Sequence, residues 1–273
     1  MITDWDDAYT NMAYIPDGAA FPDRWARAAA HFRANLPAGC TATYNVPYGT
    51  RPRQSFDVFR PPAKAEGLTV FVHGGYWMKF CKDDWSHLAE GTLSQGWAFA
   101  LVGYTLAPQI RIAAMVLEVS EAITKLAADF SGPIRLVGHS AGGHLVTRQI
   151  CTDTSLSPTV MQRIAHVVSI SGVHDLRPLL RTKMNATLQI DETESGAQSP
   201  ALLRPFADMP LSCVVGADER PEFLRQTDLL ANIWRGLGAD ITRNHLPKTH
   251  HFNVIDGLCD RDSELMRVLI PGA

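Results

Sequence analysis

Five short runs of nearly uninterrupted apolar residues constrain this chain more than anything else in it: Leu68 to Val72, Ala98 to Val102, Ile134 to Val137, His166 to Ile170 and Leu211 to Val215. A strand with one wet face alternates apolar and polar side chains. Runs without that alternation are what a sheet covered on both faces demands. Between them lie segments of helical period. Met115, Val116, Val119, Ala122, Ile123 and Leu126 line one face of a 3.6-residue helix, and Phe223, Leu224, Leu230, Ala231, Trp234 and Leu237 do the same further on. Strand and helix in alternation predict right-handed crossovers and a mostly parallel sheet.

Two further β-like runs come first, Thr41 to Val46 and Gln54 to Arg60, separated by the turn-forming stretch Pro47 to Pro52, so an antiparallel hairpin is expected at the start. A weaker strand over Ile241 to Leu246 and a terminal helix near Asp262 to Ile270 complete an α/β fold of about eight strands flanked by helices. Residues 173–210 break the rhythm: the stretch is too long for one helix and contains the polar run Gln189 to Ser199. It reads either as surface helices with a loop or as a small cap over an active site.

At 273 residues and 46% apolar content, the chain suits one large domain spanning 1–273. With 25 Lys+Arg against 28 Asp+Glu it has no surplus of positive charge for a phosphate backbone, so a nucleic-acid partner is not expected. No run approaches the ~18 apolar residues of a membrane span, so no membrane association is expected either. The acidic start and five scattered cysteines without a C-x-x-C pair suit reduced thiols in a cytoplasmic protein. The expected partner is a small-molecule substrate; oligomeric state is not legible.

The chemistry concentrates in Gly138-His139-Ser140-Ala141-Gly142, a G-x-S-x-G motif. The apolar run Ile134 to Val137 enters it and a helix-compatible segment, Leu145 to Cys151, leaves it, which is the strand–turn–helix setting of a nucleophile elbow. The serine must sit on a tight, strained turn to project its hydroxyl. Side chains at Gly138 and Gly142 would collide there. The Ala141 N–H, at the helix start, faces the place where negative charge develops. His73-Gly74-Gly75-Tyr76-Trp77 follows the run Leu68 to Val72, where a serine hydrolase keeps its second oxyanion donor. Gly74 and Gly75 are the donor candidates because no Cβ obstructs them. His73 reads as a brace for that loop, and Tyr76 and Trp77 as walls of the substrate pocket, the plain alternative being core aromatics.

The acid and base should follow late strands, acid first. Asp218 is the first carboxylate past Leu211 to Val215, with Glu219 as the alternative; Asp218 would otherwise cap the next helix. Of His250 and His251, the second is the expected base. The other histidines read as surface or core residues, and no H-E-x-x-H or other metal-ligand spacing is present, so no metal or cofactor is expected.

With these motifs in this order the chain resembles the α/β-hydrolase superfamily, and within it the arylformamidase (kynurenine formamidase) and related esterase branch. The resemblance extends through Tyr44 to Gly49, Gly103 to Pro108, Ser171 to Leu176 and Asp218 to Phe223; His250 stands where the formamidases are expected to carry an acidic residue. It implies an α/β-hydrolase fold and a triad of Ser140, Asp218 and His251, with N-formylkynurenine as substrate. A carboxylesterase for short acyl or aryl esters is the alternative within the class. A non-catalytic binding module on a hydrolase scaffold is the alternative outside it.

Overall fold

Adjacent residues of the third strand go to opposite sides of the sheet, and that alternation organises the whole molecule. In the computed structural model, which describes residues 2–270, the strands are β1 (Thr41–Pro47), β2 (Ser55–Arg60), β3 (Leu68–Val72), β4 (Ala98–Val102), β5 (Ile134–His139), β6 (Ile164–Ile170), β7 (Leu211–Gly216) and β8 (Ile241–Leu246). They form one sheet in the order β1-β2-β4-β3-β5-β6-β7-β8. β1 pairs with β2, and β2 with β4, in antiparallel fashion; the other neighbours are parallel. The expected hairpin and mostly parallel sheet are both present.

Leu68, Val70 and Val72 of β3, Ile134 and Leu136 of β5 and Cys213 and Val215 of β7 belong to one core. Phe71, Val137, Val168 and Val214 belong to the other. The first core is closed by the helices Ile112–Asp129, Ala141–Arg148 and Pro221–Gly236, whose buried residues (Met115, Leu145 and Leu230 among them) fall at helical spacing. The second is closed by a helix for which the sequence reading made no allowance, Phe21–Ala34. It buries Phe21, Trp25, Ala29 and Phe32 along one stripe, and Trp25 packs 4.8 Å from the Trp85 ring.

Residues 173–210 form 3-10 turns at Arg177–Arg181 and Pro200–Leu202 and short helices at Asn185–Leu188 and Glu192–Ala197. The polar run folds because Asp191 caps its helix, accepting the Glu194 N–H at 2.8 Å. Glu194 in turn accepts hydrogen bonds from Arg111 Nε at 2.7 Å and Ala113 N–H at 3.0 Å, which ties the segment to the helix Ile112–Asp129. Among the described residues no helix is long and apolar enough to cross a membrane.

Parallel strands carry their C-terminal ends to one edge of the sheet. The loops after β3, β5, β6, β7 and β8 therefore converge there, and they contain His73 to Trp77, Ser140, Ser171, Ala217 to Glu219 and His251.

Candidate active site

Ser140 sits between β5 and the helix Ala141–Arg148 with φ 55° and ψ −116°, a backbone conformation that costs a non-glycine residue about 1–3 kcal/mol. The surroundings hold it there. A Cβ on Gly138 would lie 2.2 Å from the Gly142 carbonyl oxygen, and one on Gly142 would lie 1.9 Å from the Val72 carbonyl oxygen on β3. The first clash is across the turn, as expected; the second is against the neighbouring strand. The Ser140 N–H donates to Ile170 O at 2.8 Å, tying the elbow to the end of β6.

The glycine loop after β3 touches this turn. A Cβ on Gly74 would meet His139 O at 2.9 Å and Ser140 Cβ at 3.0 Å. Gly75 has φ +108°, and its carbonyl accepts the N–H groups of Met78 and Lys79, both at 3.0 Å. His73 braces the loop: its Nδ1–H donates to Gly74 O at 2.7 Å, and its ring stacks 4.6 Å from Tyr104, whose hydroxyl donates to His73 O. Burial pushes the His73 imidazole down to about 4, so it is neutral at ordinary pH.

The acid is where the sequence expectation fails. Asp218 is exposed, and Glu219 occupies the place behind the histidine. His251 Nδ1–H donates to Glu219 Oε2 at 2.6 Å, with both side chains buried. The cause lies in the backbone. The Ala217 N–H pairs with Leu246 O at 2.8 Å and the Asp218 N–H with Thr249 O at 2.9 Å, which ties the turn to the chain beyond β8 and leaves the Asp218 side chain outside. The turn then folds back, Glu219 N–H to Gly216 O, and carries Glu219 inward. Glu219 Oε1 accepts the Gly216 N–H at 2.9 Å and a short hydrogen bond from the Ser171 hydroxyl. Ser171 lies in the Ser171 to Leu176 stretch, where no sequence motif marks its role.

His251 is clamped as well as paired. Its ring lies 4.3 Å from Phe223 and 4.7 Å from His139, and its carbonyl accepts His139 Nε2–H at 2.9 Å. Burial and the adjacent His251 hold His139 well below the ordinary imidazole range. Since Nδ1 of His251 is engaged by Glu219, Nε2 is the nitrogen left for a partner. Ser140 and His251 line one cavity, with no hydrogen bond between their side chains among the described residues. His250 turns aside as expected: its Nδ1 accepts the Phe252 and Asn253 N–H groups, and its ring packs edge-on against Phe21.

The cavity holds about 370 Å³. Gly74, Gly75, Ser140, His139 and His251 are at its base, and Trp25, Phe80, Trp85 and Phe252 form an aromatic wall. Within that wall Trp25 meets Phe80 and Phe252 edge-on at 5.7 and 5.3 Å. Tyr76 lines the cavity as expected, its hydroxyl accepting from Asn11 Nδ2 at 3.0 Å and donating to Tyr9 O. Trp77 does not. It is fully buried in the first core, edge-on to His144 at 5.3 Å, because the positive φ at both Tyr76 and Trp77 turns consecutive side chains apart. Residues 173–210 reach the cavity through Lys183 and Met184, and the first forty residues supply Asp6, Tyr9, Thr10, Asn11, Met12 and Trp25. The signal for Trp25 was legible, since Phe21, Trp25, Ala29 and Phe32 have helical spacing. The placement of residues 6–12 has no such local signal. Among the described residues no group of three or more His, Cys, Asp or Glu side chains is set to hold a metal ion.

A family profile described as BD-FAE matches residues 56–203, which takes in the glycine loop and the elbow but stops short of Glu219 and His251. The chain is 31% identical over 236 residues to a kynurenine formamidase of Salmo salar, covering 83% of this chain and 80% of that protein. It is 28% identical to a kynurenine formamidase of Danio rerio, with the same coverage. Among solved structures, one from Silicibacter sp. TM1040, provisionally assigned as a thioesterase, is 45% identical over 97% of this chain and 98% of its own, with a TM-score of 0.91. Esterase B of Lactobacillus rhamnosis, 17% identical and covering 92% of this chain and 91% of its own, shares the fold with a TM-score of 0.70.

Proposed function

From the premise that the chain belongs to the BD-FAE family, and to the same α/β-hydrolase group as the kynurenine formamidases, we propose that it is a serine hydrolase cleaving the formyl group from an arylamine, with N-formylkynurenine as its substrate. The observation that carries the proposal is the Glu219–His251 pair facing the cavity of a serine held in a strained elbow.

The mechanism follows from the roles these groups can fill. Ser140 Oγ attacks the formyl carbon while His251 Nε2 takes its proton. Glu219 holds the imidazole in the tautomer with Nδ1 protonated and stabilises the imidazolium that forms. N–H groups of Gly74, Gly75 and Ala141 receive the oxyanion. The imidazolium then gives its proton to the arylamine nitrogen as the C–N bond breaks. Water, deprotonated by His251, attacks the formyl ester and releases formate and free Ser140. An arylamine leaves more readily than an alkylamine because its nitrogen lone pair is delocalised into the ring, and the wall of Trp25, Phe80, Trp85 and Phe252 offers that ring a stacking surface.

The 45% identical protein with a thioesterase assignment supports a second reading, hydrolysis of a short acyl thioester or ester by the same residues. Purified protein assayed side by side on N-formylkynurenine, p-nitrophenyl acetate and an acetyl thioester separates the two. The formamide is expected to have the highest kcat/KM by about tenfold or more, and Ser140→Ala to abolish turnover of all three. Ester or thioester turnover with negligible formamidase activity would replace the first reading by the second. Failure of Ser140 to take a covalent label from an organophosphonate would end both.

A further inference from the structure

The cavity above Ser140 is apolar along most of its wall and charged at its mouth, where Asp6, Lys183 and Lys79 stand. Asp6 belongs to no loose tail. Its neighbour Asp7 pairs with Arg220 at 2.5 Å, Arg220 lies 3.6 Å over the Tyr14 ring, and the Tyr9 hydroxyl donates to the buried Glu222 carboxylate at 2.8 Å. The N-terminal segment is thereby fixed across the opening, on the side that faces residues 183 and 184.

Asp6 Oδ1 accepts the Lys183 backbone N–H at 2.7 Å, which sets the carboxylate in place. Its other oxygen stands 3.6 Å from Lys183 Nζ, too long for a good hydrogen bond, and the Lys183 side chain is 92% exposed. A carboxylate and an ammonium thus form a long ion pair, 3.6 Å apart and open to water, which a ligand carrying both charges can divide between them. Each retains capacity for a partner of opposite sign.

Such a pair complements a zwitterion. We propose that Asp6 and Lys183 form a subsite for the α-amino-acid end of the substrate, Asp6 receiving the ammonium and Lys183 the carboxylate, while the aryl formamide lies along the aromatic wall toward Ser140. This rests on the arylformamidase reading and names the feature that separates an amino-acid formamide from a simple formanilide. A neutral aryl ester makes neither contact and gains nothing from the pair.

The test compares N-formylkynurenine with 2-formamidoacetophenone, which keeps the aryl formamide and lacks both charges. Lys183→Met is expected to lower the ratio of kcat/KM for the zwitterion to that for the neutral substrate about fivefold, through KM; one solvent-facing ion pair of about 1 kcal/mol has that size. Asp6→Asn should lower the same ratio, Lys183→Arg should restore it to within twofold, and Lys64→Met, a charge removed from a remote exposed site, should leave it unchanged. Equal losses on both substrates, or no change in the ratio, would overturn the subsite. If the wild-type protein cleaved neither formamide, the formamidase reading would fail separately. Binding of L-kynurenine to Ser140→Ala protein would then decide the subsite: a fivefold loss of affinity in Ser140→Ala/Lys183→Met upholds it, and equal affinity or no binding overturns it.

Discussion

The turn after β5 brings Ser140 to the cavity and the turn after β7 brings Glu219 to the back of His251, but they are specified differently. In the first, the chain itself excludes alternatives. A methyl group at Gly138 or Gly142 would overlap a carbonyl oxygen at about 2 Å, so the residue types on either side of Ser140 report the geometry directly. In the second, Gly216 is constrained by Thr249 O, but nothing local says which of the next carboxylates turns inward. That is settled by the pairing of Ala217 and Asp218 with Leu246 and Thr249, some thirty residues away. Sterics that demand glycine are written in the turn, whether the opposing oxygen lies across it or on β3. Register against a distant strand end is not.

The largest effect that sharpens this contrast is expected at Glu219. In Glu219→Gln the amide oxygen can still accept from Gly216 and Ser171, so the turn survives, but the amide NH₂ now faces Nδ1. An NH₂ donor favours the tautomer with its proton on Nε2, where it cannot accept the Ser140 proton. Steady-state kinetics should show kcat lower by roughly 10³- to 10⁴-fold with the melting temperature little changed, the loss expected when an acid no longer sets the tautomer. A loss of tenfold or less would mean that the buried carboxylate is not the acid of the mechanism.

A smaller effect is expected one bond further back. Ser171→Ala removes the hydroxyl donated to Glu219 Oε1 and leaves the Gly216 N–H in place. The carboxylate, with one donor fewer, is held less firmly behind the imidazole. Steady-state kinetics should show kcat reduced about tenfold or less, with KM little changed. A lower melting temperature with kcat unchanged would remove Ser171 from the positioning of Glu219.

The same division between local and distant causes runs through the rest of the molecule. The apolar runs, the hairpin and the helices Ile112–Asp129 and Pro221–Gly236 were legible because burial on one or two faces imposes a period on the sequence. The placement of Ser140, His251 and the glycine loop at strand ends, and the bracing by His73, are legible because each position there tolerates few residue types. Trp77 was misplaced for the opposite reason. An aromatic residue beside a glycine loop suits either a pocket wall or a core, and two successive positive φ values, which no motif announces, send it to the core. The N-terminal wall was hidden for a further reason: residues 6–12 are held by Arg220, Glu222 and Tyr76, and contacts spanning more than two hundred residues in the first two cases leave no periodic trace.

The smallest expected effect tests the other half of the contrast. Asp218 lies one residue from Glu219 and is likewise a carboxylate, yet its contribution to the turn is its backbone N–H, donated to Thr249 O whatever the side chain. Its own carboxylate is exposed. Substitutions at exposed positions without such features usually change stability by about 0.5 kcal/mol or less, and about twofold in rate corresponds to the same energy. Asp218→Asn should therefore keep kcat/KM within about twofold of wild type, measured under the conditions in which Glu219→Gln loses three orders of magnitude. Comparable losses in the two variants would mean that the turn works as a pair of carboxylates, and that the pairing of Asp218 with Thr249 does not decide which of them the histidine uses.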